Sequence, residues 1–266
     1  MVRLIYRYNY FCLAKEMENG RYPNFQKLSQ IGLLRECISI FPSITHAALT
    51  SIITGEYPDK HGVVASHWYD FEKDKVAYFS GSLGMMLQKG VGNFFREFLL
   101  ELNNDHLKAL TLFQKLERDG YETACINFPI YRGDVPHEVN MPLLLKWIPA
   151  LPASTTIKGP KKLLLGDLIT NPNGLLTFPD YPNAFERIAS ALDCPTSGPL
   201  WLTAKLGHEL IIPAIKPYPG GGSHASLHRL DSQPPLIVAG APENVAVPEF
   251  PRIIDIAPLC LDCIQR

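Results

Sequence analysis

The apolar positions of this chain change rhythm along its length, and each change marks an element. Ala48, Leu49, Ile52 and Ile53 recur at helical spacing behind Thr45, and Gly55 stands where a C′ glycine ends a helix. Thr45 is read as the N-cap, with Pro42 keeping the preceding chain extended. Residues 14–20 read as a helix end, and residues 23–32 as a second short helix. Leu107, Leu110, Phe113 and Leu116 lie near one face of an amphipathic helix expected over 104–119, with Gly120 as its stop. Residues 122–128 follow as a buried strand bounded by Pro129, so that helix, glycine and strand give the rhythm of an α/β crossover. Residues 199–204 and 235–240 are two further short apolar strands. Residues 253–264 predict a closing helix, with Asp255 as N-cap and Pro258 in the first turn. The proline-rich stretch 134–184 reads as loops and short elements over one end of the sheet.

Composition narrows the class. With 266 residues and 46% hydrophobic content, the chain has the material for one large α/β domain or two small ones. The expectation is a single domain over 1–266. A formal net charge of −1 gives no electrostatic case for nucleic acid or an anionic membrane as a partner. No apolar run approaches a membrane span, and the first fifteen residues carry charge inside their apolar stretch, unlike a secretory signal. Cys12, Cys37, Cys125, Cys194, Cys260 and Cys263 are scattered. Cys260 and Cys263 form a C-x-x-C, but no second pair or nearby histidine completes a zinc site. They read as reduced structural thiols, and the chain as cytoplasmic.

The chemistry concentrates around Thr45. A hydroxyl at the positive end of a helix, next to backbone N–H groups without helical partners, is a ready place for a phosphoryl group. It can serve as a nucleophile if something lowers its pKa.

The run Pro42-Ser-Ile-Thr-His-Ala-Ala-Leu-Thr-Ser-Ile-Ile-Thr-Gly55, followed by Tyr57-Pro-Asp-Lys-His-Gly62, resembles the nucleophile segment of the type I phosphodiesterase/nucleotide pyrophosphatase branch of the alkaline phosphatase superfamily. The resemblance implies that Thr45 attacks phosphorus and also touches one of two zinc ions. Gly220-Gly-Gly-Ser-His224 with the strand at 235–240 resembles the family's late segment, in which a loop histidine binds zinc. His224 takes that place, and Ala225 stands where the family usually has glycine. Residues 121–133 and 252–258 also look familial. The implied fold is a three-layer α/β/α arrangement with a mostly parallel, alkaline-phosphatase-like sheet, here incomplete. The implied substrate is a small phosphodiester or nucleotide-like molecule, and Trp68 and Tyr69 just after the motif are candidates for stacking on a base or sugar.

Other family marks are missing. The opening strand should end in a metal-binding aspartate, yet no aspartate precedes Asp59. The Asp-x-x-x-His pair and the later Asp-His-Gly are absent as well. His46, His61, His67, Asp70, His208, His228 and Asp231 are alternative donors, each with a structural or solvent-facing role as the simpler expectation. Three readings follow: a working metal-dependent phosphodiesterase with substitute ligands, a degenerate relative that keeps the fold and binds phosphate-bearing ligands weakly, or an unrelated hydrolase or binding domain. Ligand count favours impairment.

Overall fold

A computed structural model of the chain describes residues 2–4, 9–71, 73–79, 90, 92–93, 96–126, 128–133, 137–138, 169–170, 176–198, 201–208 and 224–265. In chain order the elements are β1 (Val2–Leu4), α1 (Tyr10–Glu18), α2 (Pro23–Gln30), β2 (Gly32–Glu36), α3 (Thr45–Thr54), α4 (Pro58–His61), β3 (His67–Asp70) and β4 (Lys75–Tyr78). A π-helical segment, Arg96–His106, precedes α5 (Leu112–Arg118), β5 (Cys125–Ile126), β6 (His137–Glu138), β7 (Ile169–Thr170) and β8 (Leu176–Thr177). The last elements are α6 (Ala184–Leu192), α7 (Arg229–Ser232), β9 (Pro235–Ala239), a 3₁₀ turn at Ile253–Asp255 and α8 (Ile256–Ile264).

The central strand is β9, whose residues are all buried. It lies between β1 and β2 and runs antiparallel to both, with Arg3 and Leu34 facing Ile237 from either side. The α1–α2 connection makes β1 and β2 parallel to each other, which is the crossover rhythm of an α/β chain. They are not neighbours, however, because β9 fills the slot between them from about 200 residues away. A mostly parallel sheet is therefore not borne out among the described residues, where parallel pairing is confined to β5–β6 and to a bridge from Ile38 to Arg252. Local rhythm reports that a crossover exists, but not which distant strand enters it.

Two other expectations shift for physical reasons. The helix over 104–119 is broken. Leu107 N–H reaches back to Leu102 O, and Lys108 N–H crosses to His61 O, so the chain leaves the helical path. The carbonyls of Asn103, Leu107 and Ala109 accept from the Arg132 guanidinium. A new helix then starts at Leu112, with Thr111 and Gln114 closing a reciprocal capping box. The strand expected over 199–204 is irregular in its described part, where Trp201 Nε1 donates to Ser197 Oγ at 2.7 Å. The strand at 122–128 shortens to Cys125–Ile126. Asp255 does not cap α8 with its side chain. Its carboxylate accepts from Arg252 N–H at 2.8 Å and closes the 3₁₀ turn ahead of that helix. Most of 134–184, and the first four residues of the Gly/Ser run before His224, lie outside the described residues.

The core that holds α3 is built from Cys37, Ile40, Ala47, Ala48, Leu236, Val238, Ile253 and Ile256. Helix α3 is buried on nearly every side, so its inner hydroxyls turn back on their own helix. Thr50 Oγ1 and Thr54 Oγ1 each donate to the carbonyl four residues earlier at 2.7 Å. Gly55 ends the helix in the left-handed region at φ 74°. A side chain there would also meet Pro258 Cδ at 3.0 Å and the Ile254 carbonyl at 3.2 Å, so α8 and the turn before it pack closely against the stop. Among the described residues no helix is long and apolar enough to cross a membrane.

Candidate active site

The segment leading into α3 passes through a cis Phe41–Pro42 bond, and Ile44 occupies the N-cap in extended conformation. Thr45 is thus the first helical residue rather than the cap. Ile44 offers no side-chain cap to the first turn, whose N–H groups carry a partial positive charge. Thr45 is half-buried, and among the described residues its hydroxyl makes no hydrogen bond.

Ser43, two residues earlier, ties this segment to the loop that carries His224. Its Oγ accepts from Ala225 N–H at 2.9 Å and lies 3.3 Å from the Asp231 carbonyl, to which it donates. That contact, with Cα atoms 3.8 Å apart along the chain, caps the Thr45–His224 Cα separation at about 18 Å. The two sequence candidates therefore sit on touching loops, with His224 exposed. Ser43 was not singled out from the sequence. Its signal was its place inside the Pro-Ser-Ile-Thr run, but its partner is 182 positions away.

Ala225 has φ 91°, a region that favours glycine. The departure from the family's glycine is thus a point of backbone strain. Ala225→Gly is expected to stabilise the chain by about 1 kcal/mol, read as a raised urea midpoint at unchanged slope.

His46, His61 and His228 have structural tasks, while exposed His67 lines a cleft with Trp68. His46 turns inward, with Nδ1 2.9 Å from Ser66 Oγ and its ring beside Phe79. Burial first, and then His67, lowers its pKa to about 4. His61 is fully buried. Its Nδ1 accepts from Val63 N–H at 3.1 Å, which puts the ring proton on Nε2 facing Ser51 Oγ at 2.9 Å. Burial lowers its pKa to about 3. His228 Nδ1 accepts from Leu230 N–H as the cap of α7, the Asp70 carboxylate accepts from Lys73 N–H, and exposed His208 lies against its own turn. Asp231 meets Ser43 through its carbonyl.

A two-zinc centre holds its cations about 4 Å apart and needs a dense set of deprotonated donors. Among the described residues no group of three or more His, Cys, Asp or Glu side chains could hold a metal ion. Thr45 and His224 alone do not fit such a centre. At the C-x-x-C, burial raises the Cys260 thiol, in keeping with a structural role.

Beside this site lies a cleft of about 350 Å³ lined by Trp68, Tyr69, Phe71, Thr196, Ser197 and Trp201, among others. Trp68 packs one side of its ring into the core, 4.9 Å from Phe79 and edge-on to His106. It is 7% exposed, and its Nε1 has no partner among the described residues. Tyr69 is 44% exposed, stands edge-on to Phe71 and donates its hydroxyl to Asp74. Trp201 packs against Phe41 at 5.8 Å, which joins the cleft to the segment leading to Thr45. Trp201 was missed from the sequence because its neighbours there signal only a strand.

Fold and site together define an α/β domain with a threonine at an uncapped helix N-terminus. The family model for type I phosphodiesterase / nucleotide pyrophosphatase matches residues 11–207, and the chain belongs to that family. Thr45 lies inside the matched span and His224 beyond it. Comparison with curated proteins finds no match. Among solved structures, the chain is similar to phosphonoacetate hydrolase from Sinorhizobium meliloti 1021. The complex with phosphonoacetate aligns at 20% identity and TM-score 0.32, covering 43% of this chain and 22% of that one. The complex with phosphonoformate aligns at 21% identity and TM-score 0.31, with the same coverage. The chain thus spans less than a quarter of those proteins.

Proposed function

We propose that the chain is a phosphoester hydrolase domain that seats the phosphoryl group of a small phosphodiester or nucleotide-like substrate at the N-terminus of α3, with Thr45 as the nucleophile and hydrolysis far slower than in a complete relative. The observation that carries this reading is the uncapped first turn of α3, with Thr45 unbonded among the described residues and the His224 loop pinned beside it through Ser43. Backbone N–H groups there would face the non-bridging oxygens and favour their charge. Thr45 Oγ would attack phosphorus, a new P–O bond replacing the bond to the leaving alkoxide, which takes up the threonine proton, and water would then cleave the phosphothreonine to release the phosphoryl product and restore the hydroxyl. Trp68 and Tyr69, with Trp201, would hold the apolar or planar part of the substrate in the neighbouring cleft.

The reason for slowness is equally local. An alcohol attacks efficiently only when its proton is taken or its oxygen is bound to a metal. His46, the adjacent imidazole, is turned into the core, and the donor set among the described residues does not fit the two zinc ions that the family resemblance implies. Bound zinc and turnover of a nitrophenyl phosphodiester, measured beside a complete relative, test this. The expected result is well under two tightly held zinc ions per chain and turnover lower by orders of magnitude. Two tightly bound zinc ions with robust turnover would overturn the impairment. Phosphate binding with no turnover at all would leave a non-catalytic binder.

A further inference from the structure

We infer that Arg187 is a positioning residue, which locks the segment leading to Thr45 against the loop carrying His224 so that the two sides of the phosphoryl site keep one geometry; the inference rests on the site proposed above. Arg187 lies on α6, outside every motif that marked the site. Its side chain is fully buried. One terminal nitrogen donates to the carbonyls of Leu227 at 2.9 Å and Pro182 at 3.1 Å, and the other donates to the Ile40 carbonyl at 3.2 Å. Ile40 opens the run to Thr45, and Leu227 follows Ala225 by two residues. A single guanidinium thus spans both loops, on a line separate from the Ser43–Ala225 bond.

The energetics single this residue out. Among the described residues Arg187 forms no ion pair, and its Nε has no hydrogen-bond partner. Burial lowers its pKa to about 10, so it stays charged at neutral pH. A buried cation without a carboxylate is costly, and three carbonyls offset part of that cost. The planar fork reaches carbonyls on separate loops in fixed directions, whereas a lysine offers a single point of charge on a flexible stem. Geometry, rather than charge, is therefore what Arg187 supplies.

The test uses the full chain with inorganic phosphate as the probe, and compares Arg187→Lys and Arg187→Met with Leu116→Ala, which empties a buried position on α5. Amide exchange is followed at Ala225 and, as a core reference, at Val238. Both Arg187 variants are expected to lose at least tenfold protection at Ala225 beyond any change at Val238, and to bind phosphate at least fivefold more weakly. Leu116→Ala is expected to move both amides together and leave phosphate affinity alone. Unchanged Ala225 protection in a folded Arg187 variant, or unchanged phosphate affinity despite its loss, overturns the inference. Should neither variant fold, the wild-type protein decides: Arg187 guanidinium protons must shift with the same phosphate midpoint as the Ala225 amide, and their standing still while Ala225 moves refutes the role. Absence of Thr45-dependent phosphate binding in wild type refutes the proposed site itself, while the exchange data still report whether the brace exists.

Discussion

Lowering the pH from 7 to 5 is expected to cost the fold about 2 kcal/mol for each of two buried imidazoles, His46 and His61. In the unfolded chain both titrate near 6.5. In the folded chain burial lowers them to about 4 and about 3. Between those values and 6.5 the unfolded chain takes up protons that the folded chain refuses. The stability is therefore complete above about pH 6.5 and drains away as the pH falls toward the folded values. At His61 the cause is visible, because its Nδ1 lone pair already holds Val63 N–H, and protonation there would break that bond inside the core. Urea midpoints at pH 7 and pH 5 check this. His46→Gln should remove about half of the pH dependence, and equal midpoints at both pH values would refute it.

Replacing the hydroxyl at Thr45 should separate activity from stability more cleanly than any other change. Thr45→Ala is expected to reduce residual phosphodiester turnover by about 10³-fold or to background, as loss of a nucleophile does. Stability should stay within about 0.5 kcal/mol, because the side chain is half-buried and its hydroxyl holds no partner among the described residues. Thr45→Ser keeps an oxygen at the same helix position and should retain a measurable part of the rate. A Thr45→Ala protein as active as wild type would assign the chemistry elsewhere, since Ile44, not Thr45, is the cap and among the described residues no hydrogen bond competes for the hydroxyl.

How much of this was legible depended on how far each signal reached along the chain. Helix α3 and its glycine stop, the buried strand β9 and the closing helix were readable because apolar spacing and a terminator sit within one window. The break after His106 was not, since it depends on Arg132 drawing off carbonyls more than twenty positions away. Even so, Thr111 and Gln114 stand at the spacing of a capping box, a local mark that the helical periodicity of Leu107 and Leu110 obscured. At the site, Thr45 was legible as a helix-terminal hydroxyl. Its tie to the His224 loop through Ser43 was not, and Arg187 carried no sequence mark because a lone arginine within an amphipathic helix reads as a solvated position.

The slot between β1 and β2 also sets an order of events during synthesis. Both outer strands, at 2–4 and 32–36, leave the ribosome well before the strand that joins them, 235–239. Until it emerges, no hydrogen-bonded ladder of this sheet can form, and the backbone edges of β2 wait through the synthesis of about 200 residues. The helix bearing Thr45 waits as well, because Leu236, Val238 and Ile253 supply much of its packing. The nascent chain must therefore carry these strands unpaired until β9 has been made, and the proposed phosphoryl site takes shape only after that.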